Sequence, residues 1–399
     1  MNRRQPGDGG ITEYATGDGP RWSIRYYVPN PDGGTPRRVQ KRGYTTKKAA
    51  KDALRGIVQD INKGTYQPPT KHTVTTWLDH WIETKRLRPG TLASYRRTID
   101  NHVKPHIGDI KLQDLTATRL DRLYRHLETK GSRRGHQAGE TGLSPRTVRY
   151  VHTILSSALK AAIHDGLLNN NPADRAHPPT ATEAKPEEMV AWTPEQARVF
   201  LTWTRENRDL WECWHVLIHT GLRRGELVGI RWADVDLDRA TLSIKRSIGI
   251  VLTAGKRTPV IGPTKTGKAR VIDLDASTVE VLRAWRKARG AVGMQLVRQD
   301  AYVFGDLAGG HSDPDTLSHR FRRHLESVQA ALGEEAVPTI RVHDLRHTHA
   351  SGLLRAGIPA KVVSERLGHS DVTTTLRVYQ HVLPGMQAEA AKVFAAMMA

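Results

Sequence analysis

The chain has little cysteine: Cys213 is alone among 399 residues, so no internal disulfide can form and a reducing compartment is the expected setting. It has no apolar run near the ~18 residues that a membrane span requires, which argues against a membrane partner. The first twenty residues are rich in Gly and Asp rather than apolar, unlike a signal peptide. No Gly-rich loop ends in Gly-Lys-Ser or Gly-Lys-Thr, so nucleotide use is not expected. The histidines lack partner cysteines and a His-Glu-x-x-His spacing, so neither a zinc site nor another cofactor is expected. Internal repeats and low-complexity tracts are also missing.

Acid is scarce relative to base. Lys plus Arg is 61 against 41 Asp plus Glu, a formal charge of +20. A chain this basic suits a polyanionic partner, and the excess can supply many phosphate contacts.

Three regions separate, at 1–66, 72–176 and 190–399, giving a multidomain chain that is mainly α with small sheets. In the first, Trp22, Ile24, Tyr26 and Val28 alternate with Arg21, Ser23, Arg25 and Tyr27, the period of a half-buried strand. A turn-rich stretch from Asn30 to Gly34 leads to a second strand, Arg37 to Arg42. Thr46 then begins a helix with Ala49, Ala50, Ala53, Leu54, Ile57, Val58 and Ile61 on one face. Residues 1–64 carry 13 Lys and Arg against 6 acids, a net of +7. A small basic sheet of this kind fits DNA groove or phosphate contact, through residues such as Arg25, Arg38 and Arg42, though it also fits an edge that only resists aggregation.

Gln67 to Thr70 reads as a linker. The second region is all-helical, with apolar stripes at Val74, Trp77, Leu78 and Trp81, at Leu92, Tyr95 and Ile99, and at Leu120, Leu123, Tyr124 and Leu127. Ser144-Pro145 is an N-cap with Pro in the first helical position, opening a helix that runs until Asn169-Asn170-Asn171-Pro172. The face opposite its apolar stripe offers Arg146, Arg149 and His152 to a ligand. Gly131 to Gly142 reads as a mobile loop. A second linker spans Pro178 to Lys185. Thr193-Pro194 starts the third region, where Ala240 to Ile250 and Ala269 to Leu274 are the best strand candidates.

The third region holds four unusual pieces. Thr220-Gly221-Leu222-Arg223-Arg224-Gly225-Glu226-Leu227 is a glycine turn into a helix beginning near Arg223, where an Arg beside free N–H groups makes an anion site and Glu226 can fix an arginine. Pro263 to Arg270 joins two expected strands and reads as a β-hairpin with Lys265 at its tip. His343-Asp344-Leu345-Arg346-His347-Thr348-His349 puts His343 and Arg346 three residues apart, on one helical face. So many polar rings close together are hard to bury without partners. The last piece is Leu367-Gly368-His369, with Tyr379 ten residues on and a short Ala- and Met-rich helix, Met386 to Ala399, after it.

In this order and spacing the pieces resemble the tyrosine recombinases, or phage integrases, whose pattern is Arg, Lys, His-x-x-Arg, His or Trp, then Tyr. The matching residues are Arg223, Lys265, His343, Arg346, His369 and Tyr379. The resemblance is strong over 190–385, looser over 72–175 and suggestive over 11–64. It implies an arm-type DNA-binding domain, a helical core-binding domain and an α+β DNA breaking-rejoining catalytic domain with a C-terminal tail helix. It also implies Tyr379 as nucleophile, the two arginines on the phosphate, His343 as proton acceptor, Lys265 as general acid, His369 on a phosphate oxygen, and no metal or cofactor. The implied partners are double-stranded DNA at core-type and arm-type attachment sites, three further copies of the chain in a tetramer, a DNA-bending protein and an excisionase, in the bacterial cytoplasm. Two alternatives use related residues: a DNA-relaxing enzyme like the type IB topoisomerases, and a DNA-binding regulator with a degenerate site.

Overall fold

The computed structural model describes residues 9–28, 35–132, 141–185, 189–253, 255–379 and 386–398. The chain divides into two compact units, 1–87 with 94–186, and 88–93 with 187–399.

The first unit opens with a three-stranded antiparallel sheet in the order β1 (Gly9–Thr16), β2 (Gly19–Val28), β3 (Arg37–Tyr44). Ile24, Tyr26 and Val28 turn inward, as their alternation predicts, and pack with Ala50 and Ile61 of α1 (Lys47–Asn62). Thr46 caps that helix by accepting a hydrogen bond from the Ala49 N–H. Strand β1 is not anticipated by the sequence reading, because Gly9, Gly10 and two threonines give it little apolar alternation.

A helical bundle follows: α2 (Val74–Glu83), α3 (Pro89–His102), the single turn α4 (Lys104–Ile107), α5 (Ala117–Lys130) and α6 (Pro145–His164). Trp77, Leu78 and Trp81 of α2 and Leu120, Leu123, Tyr124 and Leu127 of α5 are buried, and the Trp77 indole N–H donates to the Ala158 carbonyl of α6 at 2.9 Å. Ser144 caps α6 with Pro145 next, as expected. The helix ends at His164 rather than near Asn169, since Gly166 takes a left-handed φ of 70° and Asn171 instead caps a short 3-10 turn. Most of the expected loop from Gly131 to Gly142 lies outside the described residues.

The second unit is α+β. Its helices are α7 (Pro194–Asn207), α8 (Trp211–Thr220), the single turn α9 (Arg224–Leu227), α10 (Ala276–Val292), α11 (Pro314–Leu332), α12 (Asp344–Arg355), α13 (Ala360–Leu367), α14 (Val372–Tyr379) and α15 (Met386–Met398). Trp192, Phe200, Trp214 and Phe321 pack in tilted and edge-to-face pairs in the core, with ring centroids 5.0–6.0 Å apart. One antiparallel sheet pairs β4 (Val235–Asp236), β5 (Thr241–Ile244) and β8 (Arg270–Asp273), and a separate two-stranded sheet pairs β6 (Arg246–Thr253) with β7 (Lys256–Pro263).

This topology corrects the hairpin expectation. The stretch Ala240 to Ile250 breaks at Lys245 into strands of two different sheets. The hairpin is β6–β7, and Lys265 lies on the connection from β7 to β8, which do not pair. The sequence hid β7 because Pro259 and Pro263 argue against a strand, yet in a two-stranded sheet each has an open edge on which a missing N–H costs nothing.

Candidate active site

Four of the six motif residues, Arg223, His343, Arg346 and His369, lie at or beside helix ends of the second unit. Arg223 is the N-cap of α9, and Glu226 in its first turn accepts from the Arg223 backbone N–H at 3.2 Å and from its guanidinium at 2.8 Å. Glu226 is 1% exposed and also holds Arg270 of β8 through two nitrogens, at 3.2 and 2.8 Å. Burial alone would raise the Glu226 carboxyl, but the bonds and charge of Arg270, with Arg223, outweigh it and keep the group ionised below its usual range. The Arg270 Nε–H donates to the Arg366 carbonyl near the end of α13, which ties the first motif segment to the last.

Arg346, on the first turn of α12, is 2% exposed. One guanidinium nitrogen donates to the Gly221 carbonyl at 2.8 Å and another to the Leu367 carbonyl at 2.7 Å. These carbonyls end α8 and α13, and each is followed or accompanied by a glycine in the left-handed region, Gly221 at φ 65° and Gly368 at φ 67°. A side chain on Gly221 would press on His349 and Leu367, and one on Gly368 would press on Arg270. The glycines of Thr-Gly-Leu-Arg and Leu-Gly-His are thus needed for both backbone shape and close approach.

His343 is the N-cap of α12 and reaches solvent; partial loss of hydration, then the charges of Arg346 and Arg223, lower its pKa against the opposing pull of Asp344. His369 follows Gly368, and its Nδ1 shares a 2.7 Å hydrogen bond with the buried Thr375 hydroxyl. Burial and then Arg346, Arg223, His347 and Arg270 push it down to about 4. Both rings are neutral at pH 7, so each has one donor and one acceptor nitrogen. Two cations from separate segments therefore bear on the same two imidazoles, the electrostatics of a pocket for an anion.

Lys265 is exposed on the β7–β8 connection, whose turn is closed by the Thr264 hydroxyl donating to the Lys268 carbonyl at 2.8 Å; its ammonium makes no hydrogen bond or ion pair among the described residues. Tyr379 is the last residue of α14, and its side chain lies outside the described residues. The structure thus gathers Arg223, Arg346, His343 and His369, and leaves Lys265 on a loop that can reach outward.

The profile of the phage integrase family matches residues 204–385, that of the phage integrase N-terminal SAM-like domain matches 73–127, and that of the arm DNA-binding domain matches 13–61. The chain belongs to the phage integrase family. Along its length it is similar to a XerC-like tyrosine recombinase of Caldanaerobacter subterraneus subsp. tengcongensis, 25% identical over 95% of this chain and 97% of that protein. It is similar also to an integrase of Streptomyces ambofaciens, 28% identical over 95% of this chain and 93% of that one. Its fold resembles that of the Tn1549 transposon integrase solved with a circular intermediate DNA, with a TM-score of 0.67 and 21% identity over 81% of this chain and all of that chain.

The weaker DNA-contact candidates divide. Across the β2–β3 register Arg25 faces Gln40 and Tyr27 faces Arg38, so Arg25 and Arg38 share the sheet face turned away from α1, while Arg42 lies over the Tyr14 ring at 5.5 Å. Arg146 and Arg149 line a 460 Å³ cleft with Tyr150 and Thr153, although Arg149 already donates to the Pro179 carbonyl at 2.8 Å. On the same helix the His152 Nδ1 is hydrogen-bonded to the Tyr124 hydroxyl at 2.9 Å, and burial lowers its pKa. Arg270, Arg366 and Thr375 were not singled out, since each works through a partner distant in sequence or through a hydroxyl with no motif of its own.

Proposed function

We propose that this integrase cleaves and rejoins double-stranded DNA through a 3′-phosphotyrosine at Tyr379, integrating or excising a phage or mobile element. The observation that carries the reading is the convergence of Arg223 and Arg346 on His343 and His369, with both guanidinium groups anchored by buried acceptors. A phosphodiester is anionic, and its attack by oxygen adds charge to the non-bridging oxygens. Planar guanidinium forks held in advance are suited to that charge.

In the reaction the Tyr379 hydroxyl gives its proton to His343 as its oxygen attacks phosphorus. The bond to the 5′-oxygen breaks, and Lys265 protonates the departing oxygen. A phenol of pKa ~10 is ionised in roughly one molecule per thousand at pH 7, a deficit of about 4 kcal/mol. The neutral His343 accepts that proton, and the arginines favour phenolate beside phosphate. His369 donates Nε2–H to a phosphate oxygen when Nδ1 accepts from Thr375. The phosphotyrosine conserves the bond energy, so a second 5′-hydroxyl can reverse the step on another strand.

In this reading residues 1–66 bind arm-type sites with Arg25, Arg38 and Arg42, 72–176 bind core-type sites with Arg146 and Arg149, and 190–399 carry the chemistry. Exchange between two sites calls for a tetramer in the bacterial cytoplasm, assisted by a DNA-bending protein and an excisionase. The test is a nicked suicide substrate bearing a core site. The parent chain is expected to form a covalent complex, and Tyr379→Phe to bind the DNA without forming one. Adduct formation by Tyr379→Phe would remove Tyr379 from the role.

A further inference from the structure

Away from the motif residues, α8 and the start of α10 bring together two imidazoles and a carboxylate. His215 and His219 are one turn apart on α8, with rings stacked at 4.0 Å. His219 Nδ1 lies 3.2 Å from Asp275 Oδ2, across 56 residues of sequence. One ligand atom from each of the three lies within 4.8 Å of the others. We propose that His215, His219 and Asp275 bind one borderline divalent transition-metal ion of the zinc class, as a clamp between α8 and α10.

Two imidazoles and one carboxylate are the donors such ions prefer, whereas calcium and magnesium prefer oxygen alone. Around an ion with bonds of about 2.0–2.2 Å, ligand atoms sit about 3.4 Å apart, so the cluster needs to contract by little more than 1 Å. His219 and Asp275 are only partly buried and can rotate to do so. The His215 Nε2 lies 3.3 Å from the Thr278 hydroxyl, and the Asp275 carboxylate accepts from Ser277 and Thr278. Those bonds also orient the carboxylate: the Thr278 hydroxyl donates to Oδ2 at 2.7 Å, and the Ser277 hydroxyl and Thr278 N–H donate to Oδ1 at 2.5 and 3.0 Å. Sequence spacing points away from zinc because the third ligand is on another helix.

The place of the cluster gives the clamp a consequence. Arg366 donates to the backbone carbonyls of His219 and Asp273, at 3.2 and 3.0 Å. Two residues after His219, the Gly221 carbonyl holds Arg346. An ion joining α8 to the Asp275 cap therefore fixes the two segments on which Arg366 and Arg346 hang.

The test uses the full-length untagged chain, stripped with chelator and then equilibrated with Zn²⁺ or Co²⁺ alone. The expected result is one equivalent retained through gel filtration, a visible Co²⁺ absorption band, and a rise in thermal midpoint with zinc. His219→Ala and Asp275→Asn are expected to weaken binding more than about tenfold and to lose the zinc-dependent rise. Asn still caps a helix, so α10 survives in that variant. The chain has 19 histidines, so retention alone does not suffice. No retained ion, or equal retention by parent and both variants, overturns the proposal. Phosphotyrosyl adduct formation is read separately and is expected from both variants.

Discussion

Replacing Glu226 with Gln removes one charge from the middle of the site at almost unchanged volume. The carboxylate accepts four hydrogen bonds, two from Arg223 and two from Arg270. Each carboxylate oxygen serves both arginines, so a glutamine oxygen in either place keeps one bond from each, while its amide N–H groups face the other donor of both. Arg270 is the worse placed of the two, because its side chain is 10% exposed and cannot turn to water. Breaking a buried pair while leaving one charge behind costs about 3–5 kcal/mol. For a unit of this size that is a fall in thermal midpoint of about 6–20 °C. Arg223 also loses the contact that aims its guanidinium, and a displacement near 1 Å at a reacting centre costs about 10²-fold in rate. Calorimetry with and without core-site DNA, together with single-turnover cleavage of a nicked substrate, reads both effects. A Glu226→Gln chain that melts within about 2 °C of the parent and cleaves at the parental rate would refute the reasoning, because it would mean that neither arginine depends on the carboxylate.

Lys265→Ala is expected to leave the melting temperature unchanged, since the ammonium has no partner to lose among the described residues, and to slow cleavage about 10²–10⁴-fold. A substrate whose 5′-bridging oxygen is replaced by sulfur needs no general acid and should recover most of that loss; equal slowing on both substrates would assign Lys265 to binding instead. Thr375→Val keeps the shape of a buried side chain but removes the hydroxyl on His369 Nδ1, so cleavage should fall about 5–30-fold without loss of fold, and an unchanged rate would show that the tautomer is set elsewhere. Stability should depend on pH through His349, whose Nε2 accepts from Arg366 and whose Nδ1–H donates to the Ile218 carbonyl. Burial and then the Arg366 charge push that ring to about 3, while in the unfolded chain it titrates near 6.5. The unfolded chain therefore takes up the proton first. The stabilising term is whole above pH ~6.5 and is lost as the pH falls toward 3, with an upper bound of about 5 kcal/mol. Thermal midpoints between pH 8 and 4 should show the decline in the parent and a flatter profile in His349→Gln; parallel profiles would exclude His349 as its source.

How much of this was open to a reader of the sequence depends on range. Helix starts were legible because a cap is local: Thr46, Ser144 and Thr193 each accept from an N–H three residues on. The family pattern was legible because its residues fall in short contiguous stretches, and Glu226 could be read as a partner of Arg223 because it is three residues away. Arg270 as the second partner of that carboxylate could not, since 44 residues separate them and only the β5–β8 pairing brings them together. The hairpin misreading has the same origin. Strand partners are set by sheet topology, and a stretch as even as Ala240 to Ile250 gives no sign that it serves two sheets. The bond between His152 Nδ1 and the Tyr124 hydroxyl was hidden for the same reason, since the tyrosine is on another helix 28 residues away.

The neutral histidines explain why the arginines are held as they are. Two guanidinium groups bearing on the same imidazoles repel, and a designer concerned with stability alone would neutralise both with carboxylates. Here one carboxylate, Glu226, is shared between Arg223 and Arg270, and Arg346 is oriented by the carbonyls that end two helices. Carbonyl dipoles fix the direction of the Arg346 guanidinium, which points one nitrogen at the end of each helix. Burial is the larger cause that brings His369 to about 4 and lowers His343, and the charges of Arg346 and Arg223 add to it. A phosphate arriving between the arginines screens their charge from the rings and adds its own, and both changes raise the affinity of the imidazoles for a proton. On the proposed assignment, the group that receives the Tyr379 proton is therefore a weaker base while the site is empty and a better one once DNA is bound, and the two arginines proposed to bind the scissile phosphate would also restrict activation of the nucleophile to the moment when there is something to attack.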